Sequence, residues 1–219
     1  MEIATYKTLL CESSTIFTEK ASKFIAYCSP VKDKSDCLLF IEKVQKEHPK
    51  AKHLCYAYRL GLDKNNFRTD DAGEPSGTAG KPILAQIDSL ELTNIIVIVV
   101  RYFGGVLLGT GGLIKAYRTS ASLTLQEATI LEKDILSKYH ITSPSQAMYS
   151  ILKIAKTFLI QYEDLIIDEN ASIKISVPIR IETDFFRRVK TIIEEEEPKP
   201  NVNVYSIHNC TIELIEKIV

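Results

Sequence analysis

Six consecutive aliphatic residues, Ile95-Ile-Val-Ile-Val-Val100, stand between two glycine-rich stretches. A run this apolar, and mostly β-branched, does not alternate between core and water, so it predicts a central strand covered on both faces. The ends of such a strand emerge from a rigid core. Before it lies Thr69-Asp-Asp-Ala-Gly-Glu-Pro-Ser-Gly-Thr-Ala-Gly-Lys-Pro82, and after it Arg101-Tyr-Phe-Gly-Gly-Val-Leu-Leu-Gly-Thr-Gly-Gly112. Glycine serves where φ must be positive or where something must approach the backbone closely. Two such loops around one buried strand therefore point either to tight packing or to a ligand.

The rest of the chain reads as α+β. Short strand-like runs cover Thr5–Leu10, Ser14–Thr18 and Lys23–Cys28, and a helix with Ser35 as N-cap extends to His48, where Pro49 ends it. His53 to Leu60 alternates as a strand, with His53, Cys55, Ala57 and Arg59 on one face and Leu54, Tyr56, Tyr58 and Leu60 on the other. Lys81-Pro82 starts a helix running to Leu90, since proline is tolerated in a first turn. A longer helix, about Gly111 to Ala128, has Ile114, Tyr117, Ala121, Leu125 and Ala128 on one face and Lys115, Arg118, Ser122 and Gln126 on another.

Beyond Lys133 the glycine-rich character stops, which places a domain boundary between residues 1–133 and 134–219. The second half reads β-α-β-β-α-β: Tyr139–Thr142, a helix Ser145–Ala155, Phe158–Ile167, alternation from Ile173 to Ile181, a helix Asp184–Glu194 and a last strand Asn203–Glu213. That order is ferredoxin-like, a four-stranded antiparallel sheet with both helices on one face. Pro178 lacks a ladder donor and calls for a bulge or an unpaired register. The acidic run Glu194–Glu197 reads as a solvated helix end.

Charge and cysteine usage narrow the function classes. Lys+Arg of 27 against Asp+Glu of 28 removes whole-protein basicity as an argument for nucleic acid, so any such binding uses a local patch. No apolar run approaches the roughly 18 residues of a membrane span, and the reading is a cytoplasmic protein. The five cysteines, Cys11, Cys28, Cys37, Cys55 and Cys210, are odd in number and scattered, which fits reduced thiols and neither a disulfide framework nor a zinc site.

Familiar chemistries fail position by position. A Walker loop would need glycine where Pro75 stands and a hydroxyl where Pro82 stands. A dinucleotide fingerprint starting at Gly109 meets Ile114 at its third glycine. A serine elbow at Ser76 has Glu74 and Thr78 at its flanks. Asp70, Asp71 and Glu74 are a possible hard-cation set, but acidic residues beside glycine more often shape turns. His53 and Cys55 share a strand face, where a packed pair is commoner than an activated thiol. The best anion site joins Arg101, Lys115 and Arg118 to the backbone donors near Gly111. Its rival is structural: Arg101 pairs with Glu74 and locks the loops together.

At three segments the sequence resembles the IMPACT/YigZ family: Asp71-Ala-Gly-Glu-Pro-Ser-Gly-Thr-Ala-Gly-Lys-Pro82, Val99-Val-Arg-Tyr-Phe-Gly-Gly105 and Leu108-Gly-Thr-Gly-Gly-Leu-Ile-Lys-Ala-Tyr117. The strand His53-x-Cys-x-Ala57 is similar too, and the two-domain layout is that of bacterial members. Two positions depart from the family pattern. Leu107 stands where many members have lysine, and Lys115 where they usually have arginine, which removes bidentate geometry there. The resemblance implies an N-terminal domain like the second domain of a small-subunit ribosomal protein. It implies a C-terminal domain like the last domain of elongation factor G. Eukaryotic relatives are regulators that bind the activator of an amino-acid-starvation kinase.

Together these readings lead to a two-domain binding protein with no catalytic role or cofactor assigned. The expected partner is RNA, the ribosome or a translation-linked protein, with no DNA specificity. Binding is expected at Glu74, Ser76, Thr78, Lys81, Arg101, Tyr102, Gly104, Gly105, Gly111, Lys115 and Arg118, with Tyr102 or Phe103 stacking on a base. Two alternatives stand beside it. One is an enzyme with a phosphate or carboxylate pocket between the loops, using Glu74, Ser76 and His53. The other is a protein-interaction module using the open face of the ferredoxin-like sheet.

Overall fold

The aliphatic run forms the first six residues of β6 (Ile95–Tyr102), the third of five strands in a sheet. The computed structural model describes residues 3–63, 65–194 and 203–218. They divide into two compact units, Tyr6–Lys133 and the segment from Asp134 onward with the residues before Tyr6.

In the first unit β6 pairs with β3 (Ser22–Pro30) on one side and β4 (His53–Arg59) on the other. Outside them lie β2 (Ser13–Glu19) and β5 (Phe67–Asp70), a short strand with no sequence signal of its own. Every pairing is antiparallel. Period-2 geometry sends Ile95, Val97 and Val99 to one face, into a core with α2 (Gly80–Ser89) and α3 (Gly109–Glu127). Ile96, Ile98 and Val100 go to the other, under α1 (Lys34–Glu47). All six of these side chains are fully buried, as a strand sandwiched between helices requires. A separate two-stranded sheet pairs β1 (Thr5–Leu9) with β7 (Ile130–Asp134).

Two helix starts differ from expectation. The N-cap of α1 is Asp33, whose carboxylate accepts from the N–H groups of Ser35 and Asp36 at 2.8 and 3.0 Å. Ser35 therefore sits inside the helix. At the other end of α1, the His48 ring lies between two phenols, 2.7 Å from the Tyr27 hydroxyl and 3.0 Å from that of Tyr102. The two contacts tie the helix end to β3 and β6. In α3 the core positions are Leu113, Ala116, Tyr117, Ser120, Ala121, Thr124 and Leu125, with Ile114 only half-buried.

The second unit has β8 (Leu136–Pro144), α4 (Ser145–Thr157), β9 (Gln161–Ile166), β10 (Asn170–Pro178), α5 (Ile179–Glu194) and β11 (Thr211–Ile218). Its sheet order is β11-β8-β10-β9, all antiparallel. Ile141, Ile173, Ile175 and Val177 face Met148, Ile151, Phe185, Phe186 and Val189 of the two helices. The alternation expected through Ile181 stops at Pro178, which pairs in register with Leu136 as the last strand residue. There is no bulge there. Proline's fixed φ suits a first helical turn, and α5 begins at the next residue. The irregular register lies instead between Ser172 and Lys174, against β9. The last strand starts at Thr211 and not at Asn203, although Val204 and Ile207 of the preceding turns fill the core. Glu194 at the end of α5 pairs with Lys190 at 3.4 Å and accepts from the His208 N–H at 3.0 Å. Glu195 to Glu197 lie outside the described residues. No helix among the described residues is long and apolar enough to cross a membrane.

Burial on both faces makes β6 the least forgiving strand. Ile98→Ala is expected to cost about 2–5 kcal/mol in urea unfolding. Ile16→Ala, on edge strand β2 where the side chain is 61% exposed, should change stability little. Equal effects of the two would mean that β6 is not the packing centre.

Candidate functional site

The first glycine loop is an anion cradle with its occupant built in. Asp71 accepts hydrogen bonds from the backbone N–H groups of Gly77 (2.8 Å), Ala79 (2.9 Å) and Gly80 (2.8 Å) at the start of α2. Burial works against its ionisation, but these three donors and nearby Lys81 outweigh it and hold the carboxyl below its ordinary range. The backbone needs glycine for this path. Gly77 has φ of +77°, and a Cβ on Gly80 would lie 2.8 Å from the Asp70 backbone nitrogen. Thr78 turns inward, its hydroxyl donating to the Pro75 carbonyl at 2.6 Å. The donors that would hold an outside phosphate here are already engaged.

Glu74, from the same loop, enters the core. Its Oε1 accepts from Arg101 Nη1 at 2.7 Å and from the Tyr117 hydroxyl at 2.8 Å. The ion pair is buried, with side chains 6% and 4% exposed. Cys55 Sγ lies 3.3 Å from the Tyr117 hydroxyl and 3.1 Å from the Asp71 carbonyl. Burial raises the Cys55 thiol to about 12 and holds the Tyr117 phenol well above its ordinary value, so both stay neutral. The Arg101 guanidinium lies 5.6 Å from the ring centroid of Phe24 and 5.5 Å from that of Phe103. Its Nη2 reaches Ser22 Oγ at 3.4 Å.

This network corrects the expected phosphate contact at Arg101, whose charge is spent on Glu74. The same network draws support away from the hard-cation alternative at Asp70, Asp71 and Glu74. A carboxylate facing three N–H groups, and another facing a guanidinium, present their lone pairs to donors already in place. Asp70 accepts from the Ala72 N–H at 2.8 Å, the turn-shaping role acidic residues take beside glycine. His53 Nδ1 lies 2.9 Å from the Ala72 carbonyl, a contact that places the proton on Nδ1.

Tyr102 does not join the group. As the neighbour of Arg101 in a strand, it points to the opposite face and bonds to His48. Gly104 is pressed against β3: a Cβ there would lie 2.0 Å from the Ala21 carbonyl carbon. Gly105, with φ of +86°, and Gly111 are exposed. So are Ser76, Lys81, Lys115 and Arg118. Tyr117, Cys55, Ser22 and Phe24 complete the network and were missed as site residues. An isolated tyrosine on the buried face of a glycine-led helix was the available signal, since a buried phenol needs a partner.

The second loop has another electrostatic character. No aspartate or glutamate occurs from Leu92 to Gln126, whereas Arg101, Lys115 and Arg118 do. The start of α3 has no side-chain cap and no acidic residue in its first turn. Positive partial charge at the helix start is thus followed, in the second and third turns, by the exposed cations Lys115 and Arg118.

The profile of the Impact N-terminal domain matches residues 20–125, which hold both loops, β6 and the whole network. IMPACT family member YigZ of Escherichia coli is 42% identical over 122 residues, 55% of this chain and 60% of that protein. The chain carries an Impact N-terminal domain. An IMPACT family member of Haemophilus influenzae is 39% identical over 131 residues, covering 58% of this chain and 62% of its own. The matches thus span about 60% of the length of these curated relatives. A crystal structure described as that of a hypothetical protein superposes with a TM-score of 0.74 at 25% identity, over 98% of this chain and 99% of that one. The two-domain α/β architecture is therefore shared across the full chain.

Two outcomes are expected of the network. Arg101→Met leaves the Glu74 carboxylate buried without its charge partner and should cost about 3–5 kcal/mol in denaturant unfolding. Arg101→Met combined with Glu74→Gln should recover part of that loss, and a double variant worse than the single one would contradict the pairing. For Asp71 the folded pKa lies below the unfolded one, so its contribution is present above the unfolded value, about 3.9, and is lost as pH falls through the folded value. The stability gap between the natural protein and Asp71→Asn should therefore be full at neutral pH and shrink below about pH 4.

Proposed function

We propose that this chain is a non-catalytic, cytoplasmic RNA-binding protein associated with translation, and that it binds through the surface at the C-terminal end of β6 and the first turns of α3. One observation carries the reading. At this end of the first unit the loop carboxylates Asp71 and Glu74 are consumed by internal donors, while Lys115 and Arg118 stay exposed on a stretch without any acid. An anionic partner gains from every group left outside. Lys81, exposed in the first turn of α2, adds a third cation.

The enzyme reading draws less support. A general base must reach the proton it removes. Glu74 is buried against Arg101 and Tyr117, and His53 has one ring nitrogen tied to the Ala72 carbonyl. The translation link rests on the Impact N-terminal domain and on two likenesses carried by fold. The second unit, with strand order β11-β8-β10-β9, has the ferredoxin-like arrangement that invites comparison with the last domain of elongation factor G. The first unit invites comparison with the second domain of a small-subunit ribosomal protein. Fold likeness is the weaker support, since one fold hosts many functions.

Each phosphate contact to a single strand contributes about 0.7 to the slope of log affinity against log salt. Lys115→Ala with Arg118→Ala, both at exposed positions, should therefore weaken binding to unstructured RNA, lower that slope by about 1.4 and leave the fold intact. Unchanged affinity and slope would sink the assignment of this surface. Co-sedimentation with ribosomes that survives nuclease treatment would point instead to a translation-linked protein as the partner.

A further inference from the structure

We propose that Phe103 is a stacking platform for an unpaired nucleobase of single-stranded RNA, with Lys115 and Arg118 taking the neighbouring phosphates; this rests on the RNA-binding reading above. Phe103 leaves β6 in the direction of the solvent and is 54% exposed. Its backbone is held on both sides. Tyr102 before it is anchored by His48 on the far face of the sheet. Gly104 after it packs on Ala21 more closely than any Cβ would allow, and its N–H donates to Ser22 Oγ at 3.2 Å. An aromatic ring on a fixed backbone loses little freedom when a second ring settles on it.

What lies beside the ring matters as much. The Arg101 guanidinium carbon lies 5.5 Å from the centroid of Phe103 and 5.6 Å from that of Phe24, a cation–π contact with each ring. Arg101 Nε is buried without a hydrogen-bond partner. A buried N–H without an acceptor is unfavourable, so the ion pair with Glu74 and the cation–π contacts with Phe24 and Phe103 hold the guanidinium in place. The charge is buried, and Phe103 is exposed.

An exposed ring on a stretch that holds two exposed cations and no acid suits one ligand chemistry. Single-stranded RNA is bound by stacking splayed bases on aromatic side chains while basic groups follow the backbone. Duplex RNA hides its base faces, and an acidic peptide offers no plane to stack. Tyr102, the other candidate for this role, is removed by its orientation. The competing account is that Phe103 only roofs the buried ion pair, a role that any bulky apolar side chain fills.

The chain has no tryptophan, so Phe103→Trp introduces its sole indole. Titration with an oligouridylate of about twelve nucleotides should quench that fluorescence saturably, and a blunt RNA duplex of equal length should not. Phe103→Leu keeps the roof but removes the plane. It should bind the oligonucleotide about 5- to 150-fold more weakly with an unchanged salt slope and an unchanged melting temperature. Lys115→Ala/Arg118→Ala should lower the slope and still show quenching at low salt when combined with Phe103→Trp. Leucine at 103 binding as tightly as phenylalanine, with no quenching of the indole, would overturn the platform and leave the RNA-binding reading standing. Absence of any binding to RNA by the unmodified chain would overturn both.

Discussion

A charged side chain inside a protein core must find its counter-charge there, and the Arg101–Glu74 pair is the condition on which this end of the first unit depends. Arg101 occupies a strand position whose neighbours Val97 and Val99 face the core, so the guanidinium has no route to water. Leaving it unpaired would cost several kcal/mol. The nearest chain able to supply a carboxylate is the first glycine loop, and Glu74 is carried in by the turn that Ala72 and Gly73 make with φ of +43° and +82°. Tyr117 from α3 donates to the same carboxylate, and Ser22 from β3 accepts from the guanidinium. One charge thereby fixes the mutual positions of a strand, a loop and a helix.

The two helix starts beside β6 solve the same problem in opposite ways. The first N–H groups of any helix lack intrahelical partners. At α2 the chain satisfies them with its own Asp71, which turns an anion cradle into a rigid internal joint. At α3 no side chain does so, and no acidic residue follows until Glu127. The outward potential of the surface therefore comes from the second loop and not from the more elaborate first one. Glycine richness alone did not distinguish the two loops; the placement of aspartate did.

What could be read from sequence follows from how local each cause is. The central strand was legible because six aliphatic residues in a row leave only one environment. The β-α-β-β-α-β order was legible because Ile173, Ile175 and Val177 alternate against polar neighbours. Where the cause is not local, the reading drifted. Pro178 reads locally as an interruption within a strand, whereas it marks the change from strand to helix, and Ile179 and Ile181 beyond it keep an apolar pattern that suits either. Strand β5 has no hydrophobic pattern and exists because β4 offers it an edge. The separation of Arg101 from Tyr102 needed only the two-residue period of a strand, and treating them as one contact surface ignored it.

The partner of Arg101 involved a choice that sequence posed and only packing resolved, and the resolution changes what the residue type means. A lysine can neutralise a buried glutamate, so pairing alone does not call for arginine. A planar guanidinium can donate to the carboxylate while making cation–π contacts with Phe24 and Phe103. The two interactions serve different ends: the ion pair holds the fold together, and the cation–π contact reaches an exposed ring. Arg101 thus shapes the outer surface without reaching it, and that is why a residue with the chemistry of a phosphate contact is found on the inside of the site.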